Sequence, residues 1–279
     1  MGKETSRARL KLIVEPVRKG MAHALQTGFR NSKGDVVVVT DADAIWGSRD
    51  MLKEAMKWLS SEEVGSVSCI KIPYAGKDSR NFEETYRQYY NVLRVAESKA
   101  CSTPIFHGEF SAFKRRLLEL IGGFPQGVGS AESLAAMRIA ALGYRVIVPE
   151  TLVVYELVPK SGYIHWRIRR AQHLILHFVK SLKYFRSYNS CFKKIVLAEV
   201  YMHLINPWLL VTATLILLYS MLATQSILAL AFLALGLALL SIRPYRVWVK
   251  TQLILLIAQL RNLWHKELIW RKQEKKVEQ

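Results

Sequence analysis

A chain of 279 residues holds one globular domain of ordinary size with residues to spare. Its cysteines, Cys69, Cys101 and Cys191, are odd in number, far apart and in no CxxC arrangement, which suggests neither a disulfide framework nor a zinc site and reads as three ordinary reduced core cysteines. The net charge of +18 calls for an anionic partner. It gathers between Arg167 and Lys194 and from Arg243 to Lys276, on both flanks of an apolar region that begins near Leu204; that placement favours a lipid surface over nucleic acid, for which no helix-turn-helix, finger or RNP pattern is present.

Met1 to Leu10 carries charges throughout and shows no signal-peptide pattern, so the soluble part is expected on the cytoplasmic side. Arg9 to Val14 suits a short strand, broken by Arg18-Lys19-Gly20. Met21, Ala24, Leu25, Gly28 and Phe29 then recur at helical spacing, with Gly34 placed as a helix C-terminal glycine. Val36 to Val39 is a β-branched run of the kind buried on both faces, and Asp41-Ala42-Asp43 ends it. Ser48 is placed to cap a helix whose apolar face is Met51, Leu52, Ala55, Met56 and Leu59, and Val64 to Ile72 reads as the next strand. This alternation predicts an α/β sheet with parallel strands.

Asn81 to Ala100 follows as a long polar and aromatic helix, then the loop His107-Gly108-Glu109-Phe110, then a basic helix from Lys114 to Ile121 ended by Gly122-Gly123-Phe124-Pro125. A helix from Glu132 to Leu142 stops at Gly143, and Tyr144 to Val148 and Leu152 to Tyr155 are expected as closing strands.

From Trp166 to Lys194 an apolar stripe (Ile168, Ala171, Leu174, Ile175, Phe178, Leu182) is surrounded by cations, which predicts a helix lying in the membrane interface. Leu204 to Ala223 has the length of a transmembrane helix, and Ser226 to Ile242 is shorter but sufficient. The uncharged link Thr224-Gln225 between basic flanks predicts a multi-pass hairpin in the cell membrane with both flanks cytosolic. Val247 to Trp264 is a third crossing or an interfacial helix. The expected division is therefore a catalytic α/β domain over 1–160, interfacial helices over 161–195, the membrane region over 196–264 and a basic cytosolic tail over 265–279.

Asp41 and Asp43 stand two apart after an extended run, and period-two geometry directs both carboxylates to one side, at the sheet edge where α/β ligands bind. Two hard carboxylates suit Mg2+ or Mn2+ with coordination sites left for a diphosphate; the same pair also suits capping of a turn. Glu132, at a helix start, is either a proton acceptor or a side chain stabilised by the helix dipole. His173 and His177 lie one helical turn apart with no third ligand or HExxH pattern, which favours packing over zinc.

The order Arg18-Lys19-Gly20, Gly34-Asp35-Val36-Val37-Val38-Val39-Thr40-Asp41-Ala42-Asp43, Gly108-Glu109-Phe110-Ser111-Ala112-Phe113-Lys114-Arg115, Gly122-Gly123-Phe124, then Glu132, Arg138, Gly143-Tyr144-Arg145-Val146, and finally Glu156 and Pro159, resembles the inverting family 2 glycosyltransferases of GT-A fold. It is most similar to the membrane-bound members related to cellulose and hyaluronan synthases, over Arg9 to Gln172. The resemblance implies a Rossmann-like mixed sheet flanked by helices. It implies that Asp41 and Asp43 hold the metal, with Asp41 also facing the donor, and that Glu132 is the base. Gly108, Glu109, Arg169 and Arg170 become substrate contacts. Three departures accompany it: Ala131 replaces a companion acid, Met21 stands where the family has lysine, and Arg167, Arg169 and Arg170 precede Ala171-Gln172 without a Gln-x-x-Arg-Trp signature, which speaks against processive synthesis.

The function expected is metal-dependent, inverting transfer of a sugar from a nucleoside diphosphate donor to a lipid-linked or glycan acceptor at the membrane, where a phosphate acceptor would hardly need a base. The rivals are a non-catalytic membrane scaffold of the same fold and a basic membrane protein that binds nucleic acid. Glu4-Thr5-Ser6-Arg7 resembles the tail of a helix, so an upstream segment or a partner chain is expected to complete the donor site.

Overall fold

Four consecutive valines cannot lower their crowding in a helix and form instead the strand β1 (Val36–Val39), from which the architecture grows. The computed structural model describes residues 10–74, 77–159 and 161–265, with the backbone alone for 77–81. Around β1 the soluble part contains α1 (Met21–Asn31), β2 (Ile45–Trp46), α2 (Met51–Leu59), β3 (Val64–Ser68), β4 (Ile70–Tyr74), α3 (Lys77–Ala100), β5 (Ser111–Lys114), α4 (Arg115–Leu120), α5 (Ala131–Ala141), β6 (Arg145–Ile147) and β7 (Val153–Leu157). One four-stranded sheet runs β1-β5-β3-β6, with β5 antiparallel to both neighbours and β3 parallel to β6. A three-stranded sheet runs β2-β7-β4, with β7 antiparallel to β2 and parallel to β4. Both sheets are mixed and flanked by helices.

Three expectations change. The run Val64 to Ile72 is two strands in two sheets, divided at the fully buried Cys69. Ser111–Lys114, expected as loop and helix start, is the strand β5 inserted antiparallel between β1 and β3, so the sheet is not parallel throughout. Leu10 to Val14 pairs with nothing as a strand and leaves Leu10, Leu12 and Val14 exposed. The region 266–279, most of the expected basic tail, and residues 4–7 lie outside the described residues.

One apolar core joins α1, α4 and α5 to the first sheet through Phe29, Phe113, Leu117, Phe124 and Met137. A second sits under α2, where Met51, Ala55 and Leu59 meet Val67, Ile147 and Val154. The expected outer members of the α2 face, Leu52 and Met56, are 46% and 50% exposed, so the buried stripe is narrower than the pattern predicts. Of the cysteines, Cys69 and Cys101 are buried, and Cys191 is exposed rather than in the core.

Beyond β7 lie α6 (Tyr163–Ser181), α7 (Ser190–Val200), α8 (Asn206–Thr224), α9 (Ile227–Leu239) and α10 (Arg243–Trp264). Here α6 lies on α5 and on α10, where Ile168, Ala171 and Ile175 meet Ile254, Leu255 and Ala258. Its arginines do not face outward as a lipid-binding rim would: Arg167 and Arg169 are only 6% and 5% exposed. The run Ser190–Thr224 is long and apolar enough to cross a membrane, with mean hydropathy 1.7. Helix α9, folded back on α8 at Thr224-Gln225, has 13 residues; at about 1.5 Å each it is shorter than a bilayer core of about 30 Å. It meets α10 at a bend of 105°. Leu215, Ile216, Tyr219 and Leu222 of α8 and Ile227, Leu228, Phe232 and Leu237 of α9 are all at least half exposed, an apolar surface of the kind that contacts a membrane or another protein.

Candidate active site

Past the end of β1, the Ala44 amide donates to the Asp41 carbonyl at 3.1 Å and closes a turn. The chain is therefore not extended through Asp43. Asp41 lines the main cavity, a space of about 200 Å3, whereas Asp43 is exposed in the turn and is not part of that wall. The Thr40 hydroxyl donates to the Glu109 carbonyl at 3.0 Å and accepts from the Trp46 indole at 3.2 Å, which ties the turn to the loop that precedes β5.

That loop is built on serines. Ser68 Oγ donates to the Phe110 carbonyl at 2.8 Å and accepts from the His107 amide at 2.9 Å, while Ser111 Oγ donates to the His107 carbonyl at 2.7 Å. Gly108 at its tip is hemmed in: a Cβ there would lie 2.9 Å from Glu132 Oε1 and 3.5 and 3.7 Å from the two Asp41 oxygens. The first turn of α5 supplies Glu132, which is 2% exposed and whose Oε1 has no hydrogen-bond partner. Burial, with Asp41 and Glu109 adding to it, pushes its pKa up to about 8.

A buried ionic network backs this wall. Lys71 of β4 reaches Glu109 at 2.7 Å and Glu156 of β7 at 3.2 Å. Arg170 pairs with Glu156 and stacks on the Trp166 ring at 4.5 Å. Arg87 of α3 bridges Glu156 at 3.0 Å and Glu83 at 2.9 Å, and Arg167 meets Glu83 at 3.2 Å. Burial alone would raise the Glu156 pKa, but Arg170, Lys71 and Arg87 hold it well below the carboxylate range.

The structure thus brings Asp41, Gly108, Glu109, Glu132, Arg169 and Arg170 to one cavity, and Asp43 is not among its lining residues. Sequence reasoning missed Lys71, Glu83 and Arg87. For Lys71 a signal existed, since a lysine between Ile70 and Ile72 inside an apolar run needs a buried partner. The His173 ring fills the space above Gly129, where a Cβ would come within 2.2 Å of it. His177 packs on Phe178 at 5.1 Å, and burial lowers its pKa to about 4. Among the described residues no three His, Cys, Asp or Glu side chains are gathered to hold a metal.

The glycosyl transferase family 21 model matches residues 6–279. The chain belongs to glycosyl transferase family 21, and with it to the glycosyltransferases. The family 21 chain superposes on the mannosyltransferase PcManGT from Pyrobaculum calidifontis in complex with GDP-Man and Mn2+, with a TM-score of 0.80 and 50% identity over 91% of this chain and 69% of that one. It is 24% identical over 171 residues to the probable glycosyltransferase YdaM of Bacillus subtilis (strain 168), covering 58% of this chain and 40% of that protein. It is also 24% identical over 120 residues to the O-antigen chain rhamnosyltransferase WbaN of Salmonella anatum, covering 41% and 38%. The chain spans about two fifths of the length of these two relatives. The resemblance to family 2 therefore holds at the level of a GT-A-like glycosyltransferase fold, and the family that matches is 21.

Proposed function

We propose that this family 21 chain transfers a sugar, with inversion, from a nucleoside diphosphate donor to an acceptor presented at a membrane. The observation that supports it most is the convergence of Asp41, Gly108 and an unpartnered, buried Glu132 in one cavity. A carboxyl group with an unused oxygen inside a cavity is poised for a ligand that supplies the missing partner. GDP-mannose is the donor to try first, because the 50%-identical neighbour holds it.

By the Asp-x-Asp resemblance, Asp41, which lines the cavity, and Asp43, exposed two residues on, are the residues that would hold a Mg2+ or Mn2+ ion, with its remaining positions left to the donor. When bound, such an ion neutralises charge on the departing diphosphate. Glu132 takes the proton of an acceptor hydroxyl in its ionised form, which its raised pKa places toward mildly alkaline pH. The loop of Gly108 and Glu109 holds that carboxyl against Asp41, and Lys71 fixes Glu109. Arg169 and Arg170 orient the substrate from α6, Arg170 being held by Glu156 and Trp166. Inversion follows if the hydroxyl attacks on the face opposite the diphosphate in one displacement.

The apolar run Ser190–Thr224 supports seating of the domain in a lipid bilayer with the catalytic part cytosolic; α9 alone is too short for the return crossing of a hairpin, which would need α9 together with the bent α10. A reporter in the Thr224-Gln225 link should then be protected from the cytosol. The deciding assay is incubation of the full chain in membranes with GDP-mannose and Mn2+, following GDP release and the anomeric configuration of the product. No release of the corresponding nucleoside diphosphate from any nucleoside diphosphate sugar would favour a scaffold without turnover. A product of retained configuration would rule out single displacement.

A further inference from the structure

The helical run Ser190–Thr224 is interrupted at Tyr201–Ile205 by a turn of π helix, a geometry that displaces carbonyls from their ordinary intrahelical partners. Gln259 of α10 answers this turn. Its Nε2 donates to the carbonyls of His203 and Leu204, at 3.2 Å each, and its Oε1 accepts from the Trp208 indole at 2.8 Å. His203, within the same turn, is 1% exposed and lines the cavity. Its Nδ1 lies 2.8 Å from the Glu199 carbonyl and its Nε2 3.2 Å from Tyr90 Oη, and the ring stacks on Phe178 at 5.3 Å. With Nδ1 donating to that carbonyl, Nε2 accepts from the phenol of Tyr90. Tyr90 and Arg94, on α3, also line the cavity, and Glu199 binds Arg94 at 3.0 Å. The same α10 is locked to α6 by a reciprocal amide exchange: Gln172 Nε2 donates to Asn262 Oδ1 at 3.1 Å and Asn262 Nδ2 to the Gln172 carbonyl at 3.2 Å.

One helix therefore reaches from the apolar span to the cavity wall, and a single glutamine holds it where it bends out of α-helical register. We propose that Gln259 and His203 are positioning residues, and that the π turn is the joint through which the membrane helix sets Tyr90 and Arg94 for an acceptor while leaving the Asp41 side free to take the donor. This rests on the proposed function, since it presupposes separate donor and acceptor. Removing the half-buried Gln259 amide leaves the part-buried carbonyls of His203 and Leu204 without that donor, which costs more than the small net worth of the bonds themselves. The loss falls on the groups it held, here the wall supplied by α3.

The test uses the full chain in phosphatidylglycerol vesicles with GDP-mannose and Mn2+, with water, farnesyl phosphate and octyl mannoside as acceptor probes. Gln259→Leu and Gln259→Glu both lose the donation to the two carbonyls, and the glutamate still accepts from Trp208. Both should raise KM for the acceptor used by the wild type by roughly tenfold while GDP-mannose affinity stays within about twofold. Tyr90→Phe, which deletes only the hydroxyl that meets His203, should show the same split at smaller size. Unchanged acceptor KM in all three variants overturns the proposal. So does joint loss of donor and acceptor affinity, which would mark a purely structural role. A wild type that releases no GDP with any probe speaks against the proposed function itself, and the joint falls with it.

Discussion

Asp41 and Glu132 converge on one glycine: the space for a Cβ at Gly108 is bounded by Glu132 Oε1 at 2.9 Å and by the Asp41 carboxylate from 3.5 Å. Two acids from distant parts of the sequence are thus held to a spacing set by the smallest residue.

Gly108→Ala should push the Glu132 carboxyl aside, because contact at 2.9 Å is closer than a Cβ tolerates and the neighbouring atom is the end of a flexible side chain. Folding should survive, and turnover should fall by roughly 10²-fold, as displacements of about 1 Å in catalytic groups do. Steady-state kinetics beside a circular dichroism melt check this; wild-type turnover would show that the spacing is unimportant.

Glu132→Gln is expected to stop transfer to a hydroxyl acceptor and, at the same time, to stabilise the fold. The folded pKa of about 8 stands above the ordinary carboxylate value of 4.5, so between these values the folded state holds a proton that the unfolded state has lost. Stability from this group is complete below the unfolded pKa and declines as pH rises to about 8. A neutral glutamine escapes that decline. The variant's melting temperature should exceed the wild type's by roughly a few degrees at pH 8 and converge with it near pH 4. Equal melting curves at pH 8 would argue against a protonated, buried Glu132.

Asp41→Asn and Asp43→Asn should separate in degree. Asp41 lines the cavity and Asp43 is exposed beside it, so Asp41→Asn should abolish Mn2+-dependent turnover, and Asp43→Asn should raise the Mn2+ concentration needed before it removes activity. Titration of Mn2+ against rate in both variants distinguishes them. Full activity of Asp41→Asn, or of the wild type in excess chelator, would end the metal assignment.

Glu83→Gln is a test of stability. Glu83 is fully buried and neutralises both Arg87 and Arg167; burial alone would raise its pKa, and the two guanidinium groups lower it instead. Removing the carboxylate leaves two buried cations short of charge, at a cost of about 3–5 kcal/mol. Because the folded pKa is depressed, the stability from Glu83 is present above the unfolded value and is lost as pH falls below it. Urea unfolding at neutral and acid pH should show a large difference between variant and wild type only at the higher pH.

The sequence made the long periodic elements legible: Val36–Val39, the helices α2, α3 and α5, and the strand at Val153–Leu157 lie close to where their patterns put them. It concealed β5, because Ser111–Lys114 is four residues with one polar and one apolar residue on each face, and its buried Ser111 is satisfied by Ser68 from another strand. No local pattern announces a bond across 43 positions. Asp41, Gly108, Glu109 and Glu132 were legible through an ordered set of short motifs. The arginines of α6 were misplaced for the opposite reason. A cation-rich amphipathic helix reads as lipid-facing unless its carboxylate partners are known, and Glu83, Glu109 and Glu156 come from three separate elements. Period and charge describe a helix; they do not say which neighbour will cover it.

The division of Val64–Tyr74 at Cys69 bears on how the cleft can open. One unbroken stretch leaves the first sheet at Ser68 and enters the second at Ile70, and a second crossing, between Ile147 and Val153, runs beside it, with the Ile70 amide bonded to the Leu152 carbonyl at 2.9 Å. Two crossings this short, laid side by side and stitched together, form a seam and leave no slack for a pivot. The halves of the catalytic unit cannot part like the covers of a book. If the proposed nucleotide-sugar donor enters this cleft, room for it would come from the parts that rest on the seam rather than belong to it: the serine-tied loop at Gly108 and the ionic contacts of α6 with Glu109 and Glu156.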